Sequence, residues 1–321
     1  MTSDNRLYIG IDLGGTAIKG GLVQADGVIV ENKSIPTEAD RGVDHVIHRM
    51  VGLVREMSDR AGALQRVAEA VGLGVPGTLS HATGMVIAPP NLPGWRNVPI
   101  VRRLVEATGF RVVLENDANA AAWGEYCCGA GRGCRSMVMI TLGTGVGGGF
   151  VFDGRLFRGS HESGAEVGHM IVVPGERLCG CGQRGCLEAY ASASNTALRA
   201  VERLRAGESS RLRTVFESGA ALTSEDVVTA AEQGDPLARE VWRETCELLA
   251  TAMVSLQHTI DPERFVLAGG MSKAGDRLIA PVREAAARFA SPIFGKPPDV
   301  CIALLGSDAG LVGAAMAARD A

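Results

Sequence analysis

Leu7-Tyr8-Ile9-Gly10-Ile11-Asp12-Leu13-Gly14-Gly15-Thr16 is an apolar strand that leads directly into a glycine-threonine turn. A second strand follows, and the chain then reverses at Asp26-Gly27, a dipeptide typical of a two-residue hairpin. The same order recurs near the middle of the chain. There, residues 137–140 form an apolar strand, residues 141–145 read Thr-Leu-Gly-Thr-Gly, and Asp153-Gly154 turns the chain after the next strand. The repetition predicts one α/β unit used twice, although hairpins of this kind are common enough to coincide by chance.

The composition predicts a soluble enzyme with room for two domains. A chain of 321 residues is long enough for two hydrophobic cores. The formal net charge of −4 provides no basic field for nucleic acid or an anionic membrane, so we expect neither as a partner. The first residues lack the basic and apolar regions of a signal peptide, and no apolar run approaches the length of a bilayer. We therefore expect a cytoplasmic protein.

Three cysteines and one histidine follow the second copy at short spacing. Cys179, Cys181 and Cys186 share a glycine-rich loop, and His169 lies ten residues upstream of the first of them. Three thiolates and one imidazole are the closed ligand set of a structural zinc site, and glycine lets such a loop double back on an ion. The alternative is that they are small buried residues or a redox pair. The other five of the eight cysteines are typical of a reducing compartment rather than a disulfide framework.

The two glycine-threonine turns are candidate phosphate loops. Backbone N–H groups in such a turn converge on phosphate oxygens, but similar turns also serve only to reverse a chain. Neither turn matches the Walker pattern. Asp12 is able to hold magnesium through water, and Gly269-Gly270, after a third strand, either admits adenosine or makes a tight turn. The candidate nucleotide-binding residues are Asp12, Gly14, Gly15, Thr16, Gly143, Thr144, Gly145, Gly269 and Gly270.

Asp117 is the candidate for the chemistry. It ends the apolar strand that contains Glu115 and Asn116, at the point where a helix begins. An acidic or amide residue there is most often an N-cap, which alone would explain Asp117 or Asn119. A kinase that acts on an alcohol needs a carboxylate that accepts the hydroxyl proton during phosphoryl transfer. Asp117 meets that need, and Asn116 beside it offers a donor or an acceptor to a polyol.

Together these motifs resemble the bacterial ROK (repressor, open reading frame, kinase) sugar kinases, and most closely their ATP-dependent glucokinases. The resemblance runs in order along nearly the whole chain, and the zinc loop is its most specific part. It implies an actin-like, hexokinase-type (ribonuclease H-like) fold, in which a duplicated α/β unit forms two domains around a cleft. We expect a smaller domain of residues 1–118 and 306–321 and a larger domain of residues 119–305 that carries the zinc loop. The motifs that carry the resemblance are residues 12–19, 115–117, 142–149, 166–169 and 179–188.

By this resemblance, Asp117 would be the general base for the 6-hydroxyl of glucose, and ATP with Mg²⁺ the phosphoryl donor. His169 would bind zinc through one ring nitrogen and face the sugar with the other. Because Glu166 and Glu188 flank zinc ligands, the structural Zn²⁺ would orient both carboxylates. Lys19 also matches the motif but is set aside, since a lysine on a strand is usually solvated. The implied sugar-binding residues are Asn91, Asn116, Asp117, Glu166, His169 and Glu188.

Other activities within the family stay open. Related kinases act on N-acetylmannosamine, N-acetylglucosamine, mannose, allose or fructose, although residues 88–95 look more like those of the glucokinases. Family repressors carry a helix-turn-helix before the sugar domain, whereas the first phosphate-loop strand here begins at Leu7. A polyphosphate donor is disfavoured because the chain has no basic tract for a long polyanion. By the same resemblance we expect a homo-oligomer, either a dimer or a tetramer.

Overall fold

The computed structural model describes residues 5–89, 91–293 and 296–321, so Pro90 of the predicted loop at 88–95 lies outside the described residues. None of the helices in these ranges is both long and apolar enough to cross a membrane. The strands are β1 (Arg6–Leu13), β2 (Ala17–Gln24), β3 (Ile29–Pro36), β4 (Val67–Val75), β5 (Thr78–Ser80), β6 (Met85–Ala88), β7 (Val112–Asn116), β8 (Ser136–Leu142), β9 (Val146–Phe152), β10 (Arg155–Leu156), β11 (Arg264–Ala268) and β12 (Val300–Ile302). The α-helices are α1 (Val43–Ala63), α2 (Ile100–Thr108), α3 (Asp117–Cys128), α4 (Glu188–Ala191), α5 (Ala193–Arg205), α6 (Arg213–Glu217), α7 (Ser224–Glu232), α8 (Pro236–Ile260), α9 (Asp276–Phe289) and α10 (Ala309–Asp320).

The first sheet is mixed and has the strand order β3-β2-β1-β4-β7. Strand β1 pairs antiparallel with β2, which places Asp12 opposite Lys19, and parallel with β4, which places Asp12 opposite Gly74. Strand β7 is the parallel neighbour of β4 and pairs Asn116 with Val75. Since the carboxyl ends of parallel strands meet at one edge of a sheet, Asp12 and Asn116 lie at the same edge.

The second sheet has the order β10-β9-β8-β11-β12, which repeats that of the first. Strands β8, β11 and β12 are parallel, as β1, β4 and β7 are in the first sheet. In each sheet the strand before the glycine-threonine turn is central, and the strand after the turn lies beside it. The shared order confirms the predicted duplicated α/β fold.

Side chains of β1 alternate between two faces of the first sheet, as the pleat of a strand requires. Ile9 and Ile11 lie in a core that also contains the apolar face of α1, whereas Tyr8 packs with residues of α10. Asp12 follows this alternation toward α10, because a Cβ atom added at Gly310 would lie 2.8 Å from its Oδ2 atom. The strand pattern therefore directs one carboxylate to the first turn of α10.

The chain divides into two compact units. The first comprises residues up to Gly133 together with Gly149–Gly164 and Leu304–Ala321. The second comprises Cys134–Gly148 and Ala165–Ala303. The division therefore passes through strand β9, between two of its glycines.

These bounds differ from the expected domains, since the structure groups all of α3 and also Gly149–Gly164 with the first unit. Helices α3 and α10 touch through glycines. A Cβ atom added at Gly313 would lie 1.6 Å from the carbonyl oxygen of Ala120, and one added at Gly124 would lie 2.5 Å from that of Ala309. Such close backbone packing joins the C-terminal helix to α3.

Candidate functional site

Asn116, and neither Asp117 nor Asn119, is the N-cap of α3. Its Oδ1 atom accepts the backbone N–H groups of Ala118, at 2.9 Å, and Asn119, at 3.2 Å. Its Nδ2 atom donates to the carbonyl oxygen of Gly77 at 3.2 Å. The interpretation of Asp117 or Asn119 as a simple cap is therefore wrong. Asp117 is the first helical residue, and its Oδ1 atom accepts the N–H of Ala118 at 2.9 Å.

Two carboxyl groups in the first unit have raised pKa values. Burial raises the pKa of Asp117 above its usual range, against the opposing effect of the hydrogen bonds that it accepts. Burial, with the negative charge of Asp117, raises the pKa of Asp12 to about 6, while the charge of Lys19 acts in the opposite direction. Carboxylates whose proton affinity is raised toward neutral pH are typical of groups that take up a proton in catalysis.

Lys19, set aside in the sequence analysis, is half-buried and engaged rather than simply solvated. It lies opposite Asp12 across the β1–β2 pair, and its Nζ atom donates to the carbonyl oxygen of Ser307 at 2.5 Å. The signal was present in the sequence. A tight turn between two antiparallel strands brings residues at matched distances from the turn, here Asp12 and Lys19, into cross-strand register.

The first glycine-threonine turn, residues 14–16, is held by the buried Thr37. The Thr37 hydroxyl donates to the carbonyl oxygen of Gly14 at 2.7 Å, and its N–H donates to that of Thr16 at 2.9 Å. A Cβ atom added at Gly15 would lie 3.0 Å from both the Cβ and the carbonyl oxygen of Asn91. The structure thus brings a predicted phosphate-loop residue and a predicted sugar-binding residue into contact, and leaves the Thr16 side chain exposed.

The second glycine-threonine turn lies in the second unit, against the Gly269-Gly270 motif. The N–H of Gly143 donates to the carbonyl oxygen of Gly145 at 3.0 Å, and Thr144 between them is exposed. Gly269 has a φ of +86°, and a Cβ atom there would lie 2.5 Å from the carbonyl oxygen of Leu142. Only glycine fits such an approach, which makes the two predicted nucleotide-binding motifs direct neighbours.

Glu188, the first residue of α4, links the second turn to the cysteine loop. Its Oε2 atom accepts the N–H of Val146 at 2.9 Å, and its Oε1 atom lies 3.5 Å from the Sγ atom of Cys179. A Cβ atom added at Gly145 would lie 2.4 Å from Oε2. One carboxylate therefore contacts both the candidate phosphate loop and the candidate metal site.

The four predicted zinc ligands converge. The candidate donor atoms of His169, Cys179, Cys181 and Cys186 all lie within 4.8 Å of one another. The Sγ atoms of Cys181 and Cys186 are 3.8 Å apart, as are Sγ of Cys179 and Nδ1 of His169. A tetrahedral ion with Zn–S bonds of about 2.3 Å requires ligand separations of roughly 3.8 Å. This donor set therefore fits a four-coordinate zinc ion bound through Nδ1 of His169.

The segment from Glu166 to His169 lies against the start of β9. A Cβ atom added at Gly168 would lie 2.1 Å from the carbonyl oxygen of Val146, so the two backbones are in contact. Glu166 is exposed, and its carbonyl oxygen accepts the N–H of His169 at 3.0 Å. In the second unit, the predicted sugar-binding residues Glu166, His169 and Glu188 therefore all lie beside β9 or the cysteine loop.

Glu115 has a role that the motif alone did not indicate. It is buried, and its carboxylate lies against Arg158 and His81, which belong to none of the sequence motifs. These residues lie far apart in sequence and carry no shared spacing, so only the folded chain brings them together.

Known proteins are similar to this chain along nearly its whole length. The chain matches the ROK family over residues 8–321. It is 40% identical to a glucokinase of Thermotoga maritima over 316 residues, which cover 97% of each chain, and 37% identical to a glucokinase of Halalkalibacterium halodurans over 318 residues, which cover 96% of this chain and 94% of that protein. The crystal structure of a ROK family glucokinase from Streptomyces griseus in complex with glucose and AMPPNP superimposes with a TM-score of 0.81 at 35% identity, covering 98% of this chain and 100% of that one. With its duplicated α/β sheets of actin-like, hexokinase type, this chain belongs to the ROK family.

Proposed function

We propose that this protein is an ATP-dependent glucokinase, which transfers the γ-phosphoryl group of ATP to the 6-hydroxyl of glucose. The observation that carries the proposal is Asp117, a half-buried carboxylate with a raised pKa at the start of α3. The similarity to glucokinases over almost the full length of the chain supports glucose as the substrate. Such a product enters glycolysis, and we propose a cytoplasmic location.

Asp117 is the proposed general base. It accepts the proton of the sugar hydroxyl while that oxygen attacks the γ-phosphorus, and the bond from the γ-phosphorus to its bridging oxygen breaks to release ADP. No bond to the protein forms, so catalysis depends on positioning and charge. Mg²⁺, when bound, neutralises phosphate charge, and Asp12 is the carboxylate proposed to hold it through water.

The remaining roles follow the geometry within each unit. In the first unit, Asn91 and Asn116 are proposed sugar-binding residues, and the turn at 14–16 is a proposed phosphate loop. In the second unit, Glu166, His169 and Glu188 are proposed sugar-binding residues. The turn at 143–145 and the Gly269-Gly270 motif are proposed to bind the nucleotide. The contact of Gly15 with Asn91, and of Glu188 with the second turn, supports this pairing of sugar and phosphate functions.

A structural zinc ion is proposed for His169, Cys179, Cys181 and Cys186. Their donor separations fit a closed tetrahedral site, which leaves no open position for catalysis. The metal would instead hold Glu188, whose Oε1 atom lies next to Cys179, in its place beside the second turn.

The test is sugar-dependent ADP release by the zinc-loaded protein with MgATP and a panel of glucose, mannose, fructose, N-acetylmannosamine and N-acetylglucosamine. We expect the highest kcat/KM for glucose. A preference for an N-acyl sugar or for another hexose would replace the proposed substrate. Inactivity on every sugar would argue against the kinase assignment and favour a sugar-responsive regulator or another donor.

The base is tested by Asp117→Asn, which keeps the shape of the side chain and removes its proton affinity. We expect kcat to fall by about 10²- to 10⁴-fold, the usual contribution of a general base, with glucose binding nearly unchanged in calorimetry. Asp59→Asn, on the exposed face of α1, is the matched control and should behave as wild type. Full turnover by Asp117→Asn would remove Asp117 from the mechanism.

A further inference from the structure

Glu115 is a buried carboxylate held by two cationic side chains. Its side chain is 1% exposed. Its Oε2 atom accepts the Nε–H of Arg158 at 2.9 Å and a second hydrogen bond from Nη2 of the same guanidinium. Its Oε1 atom lies 3.2 Å from Nε2 of His81. Arg158 therefore holds one carboxylate oxygen through two charge-assisted hydrogen bonds, while His81 lies against the other oxygen.

The same carboxylate holds the start of α3. Oε1 of Glu115 accepts the backbone N–H of Asn116 at 3.0 Å and the Nδ2–H of Asn119 at 3.2 Å. Asn116 is the N-cap of α3, and Asn119 lies in its first turn. Asp117 stands between these two residues. The position of the Asp117 carboxylate therefore depends on hydrogen bonds that its own side chain does not make.

His81 lies in the turn between β5 and β6 and faces charges from three other segments. Glu115 of β7 and Glu162 of the segment after β10 are acidic, and Nδ1 of His81 lies 3.3 Å from Oε1 of Glu162. Arg158 is cationic and pairs with Glu115, as His81 does. His81, Arg158 and Arg102 of α2 line a cavity of about 530 Å³. The formal charges of this cluster sum to zero only when His81 is protonated, because it contains the two carboxylates Glu115 and Glu162 and the single guanidinium of Arg158.

We propose that Glu115 is a positioning residue for Asp117, and that Arg158 and protonated His81 are the two cations that keep it in place. This proposal rests on the proposed function of Asp117 as the base. A buried carboxylate that loses a cationic partner becomes costly to keep charged and must rearrange or take up a proton. Either change disturbs the hydrogen bonds to Asn116 and Asn119. A displacement of the base by about 1 Å is enough to slow a reaction by up to roughly 100-fold.

Glu115→Gln tests the positioning role, because it keeps the shape of the side chain and removes its charge. We expect kcat to fall by about tenfold or more, with the KM values for glucose and ATP within about threefold of wild type. In an Asp117→Asn background, Glu115→Gln should change the residual kcat by less than about twofold, since no base is left to position. Glu69→Gln, an exposed position on β4, is the control and should change neither background.

The outcomes separate the two proposals. Full turnover by Asp117→Asn alone would overturn the proposed base, whatever Glu115 does. An equal loss from Glu115→Gln in both backgrounds would show that Glu115 does not act through Asp117, and would overturn the positioning role. Unchanged kcat in Glu115→Gln with Asp117 intact would overturn it as well.

His81→Gln removes the second cation, and it tests the proposal even if Glu115→Gln does not fold. In wild type, the hydrogen bond between His81 and Glu115 raises the pKa of His81 above the ordinary value of 6.5, whereas burial and the charge of Arg158 act to lower it. Wild type therefore loses the cation as the pH rises through this raised pKa, whereas the variant has none to lose. From about pH 6 to about pH 9, we expect the ratio of kcat in wild type to kcat in His81→Gln to fall. His48→Gln, on the exposed face of α1, should keep the wild-type profile, and a constant ratio for His81→Gln would overturn the proposal.

Discussion

Asp12 illustrates at the scale of one residue how a side chain with a proposed functional role can lower stability. Its carboxyl group is half-buried beside the first turn of α10, where the loss of solvent and the negative charge of Asp117 raise its pKa to about 6. In the unfolded chain the same group titrates near 3.8. The folded protein therefore holds a proton between these two values that the unfolded chain has already released. Across this window, the contribution of Asp12 to the free energy of unfolding falls as the pH rises.

Asp12→Asn should accordingly stabilise the protein above about pH 6, where the wild-type carboxylate is charged. The expected gain in the free energy of unfolding is on the order of 1–3 kcal/mol at about pH 8, and it shrinks toward pH 4 because the folded wild-type carboxyl group then holds its proton. Urea unfolding without nucleotide or Mg²⁺ at both pH values measures it. A gain of the same size at both pH values would contradict an electrostatic origin of the effect. The same variant should also lose kinase activity if Asp12 holds Mg²⁺, as proposed.

At the scale of the elements, glycine decides how closely α3 and α10 approach. Gly313 and Gly124 face each other's helix, and the space for a side chain at either position is already occupied by backbone atoms. Gly52 in α1 provides the opposite case, since a Cβ atom added there would meet no atom within 4 Å. Glycine is therefore required for close packing in α3 and α10, whereas in α1 it acts only as a weak helix former.

Gly313→Ala and Gly52→Ala form a matched pair. Gly313→Ala should lower the free energy of unfolding by about 1–3 kcal/mol, because the added methyl group forces the helices apart. Gly52→Ala should raise it by up to about 1 kcal/mol through helix propensity. Urea unfolding of the two variants beside wild type is the measurement. Equal stability of Gly313→Ala and wild type would show that the contact between α3 and α10 is looser than the structure has it.

The cysteine loop is an element whose order we expect to depend on metal. Its ligands come from a short turn ending at His169 and from a loop with little other regular structure. Gln183 stabilises it by donating to the Sγ atom of Cys186 at 3.2 Å and to the carbonyl oxygen of His169 at 2.8 Å. Because Glu188 lies two residues after Cys186, loss of the proposed metal should disturb the proposed sugar-binding and phosphate-binding residues together.

Cys181→Ser should therefore lose zinc and weaken glucose binding by about 10- to 100-fold in the same variant. Metal content and calorimetric glucose affinity, measured on one preparation, provide the readout. Cys134→Ser, which alters a thiol of the same unit outside the loop, should retain both properties. Tight glucose binding by a zinc-free Cys181→Ser protein would separate the metal from the sugar site.

At the scale of the whole molecule, the duplicated pattern of strand, turn and hairpin was predictable from the sequence because each of its signals is local. Residues 7–16 and 137–145 each carry the alternation and the glycines of a strand followed by a tight turn, and both copies fold as these signals indicate. The bounds of the two units were not predictable from such local signals. The grouping of α3 with the first unit depends on a contact with α10, almost 200 residues later, and no local signal marks it.

The same distinction between local signals and long-range contacts applies to the candidate site. The convergence of His169 with Cys179, Cys181 and Cys186 was predictable from residue type and short spacing, whereas the role proposed for Asp117 rests on the family resemblance and stays a prediction. The bond from Lys19 to Ser307 and the surroundings of Glu115 were not predictable, because each depends on partners from distant segments.

Local periodicity and short-range spacing are properties of the chain itself, so the sequence alone determined the two α/β copies and the clustering of His169 with the three cysteines of the loop. The raised pKa values of Asp12 and Asp117, and the bracing of Glu115 by Arg158 and His81, were decided only by the tertiary structure. The physical reason is that burial and charge pairing are set by which distant groups exclude water from a side chain, and no single stretch of sequence contains that information.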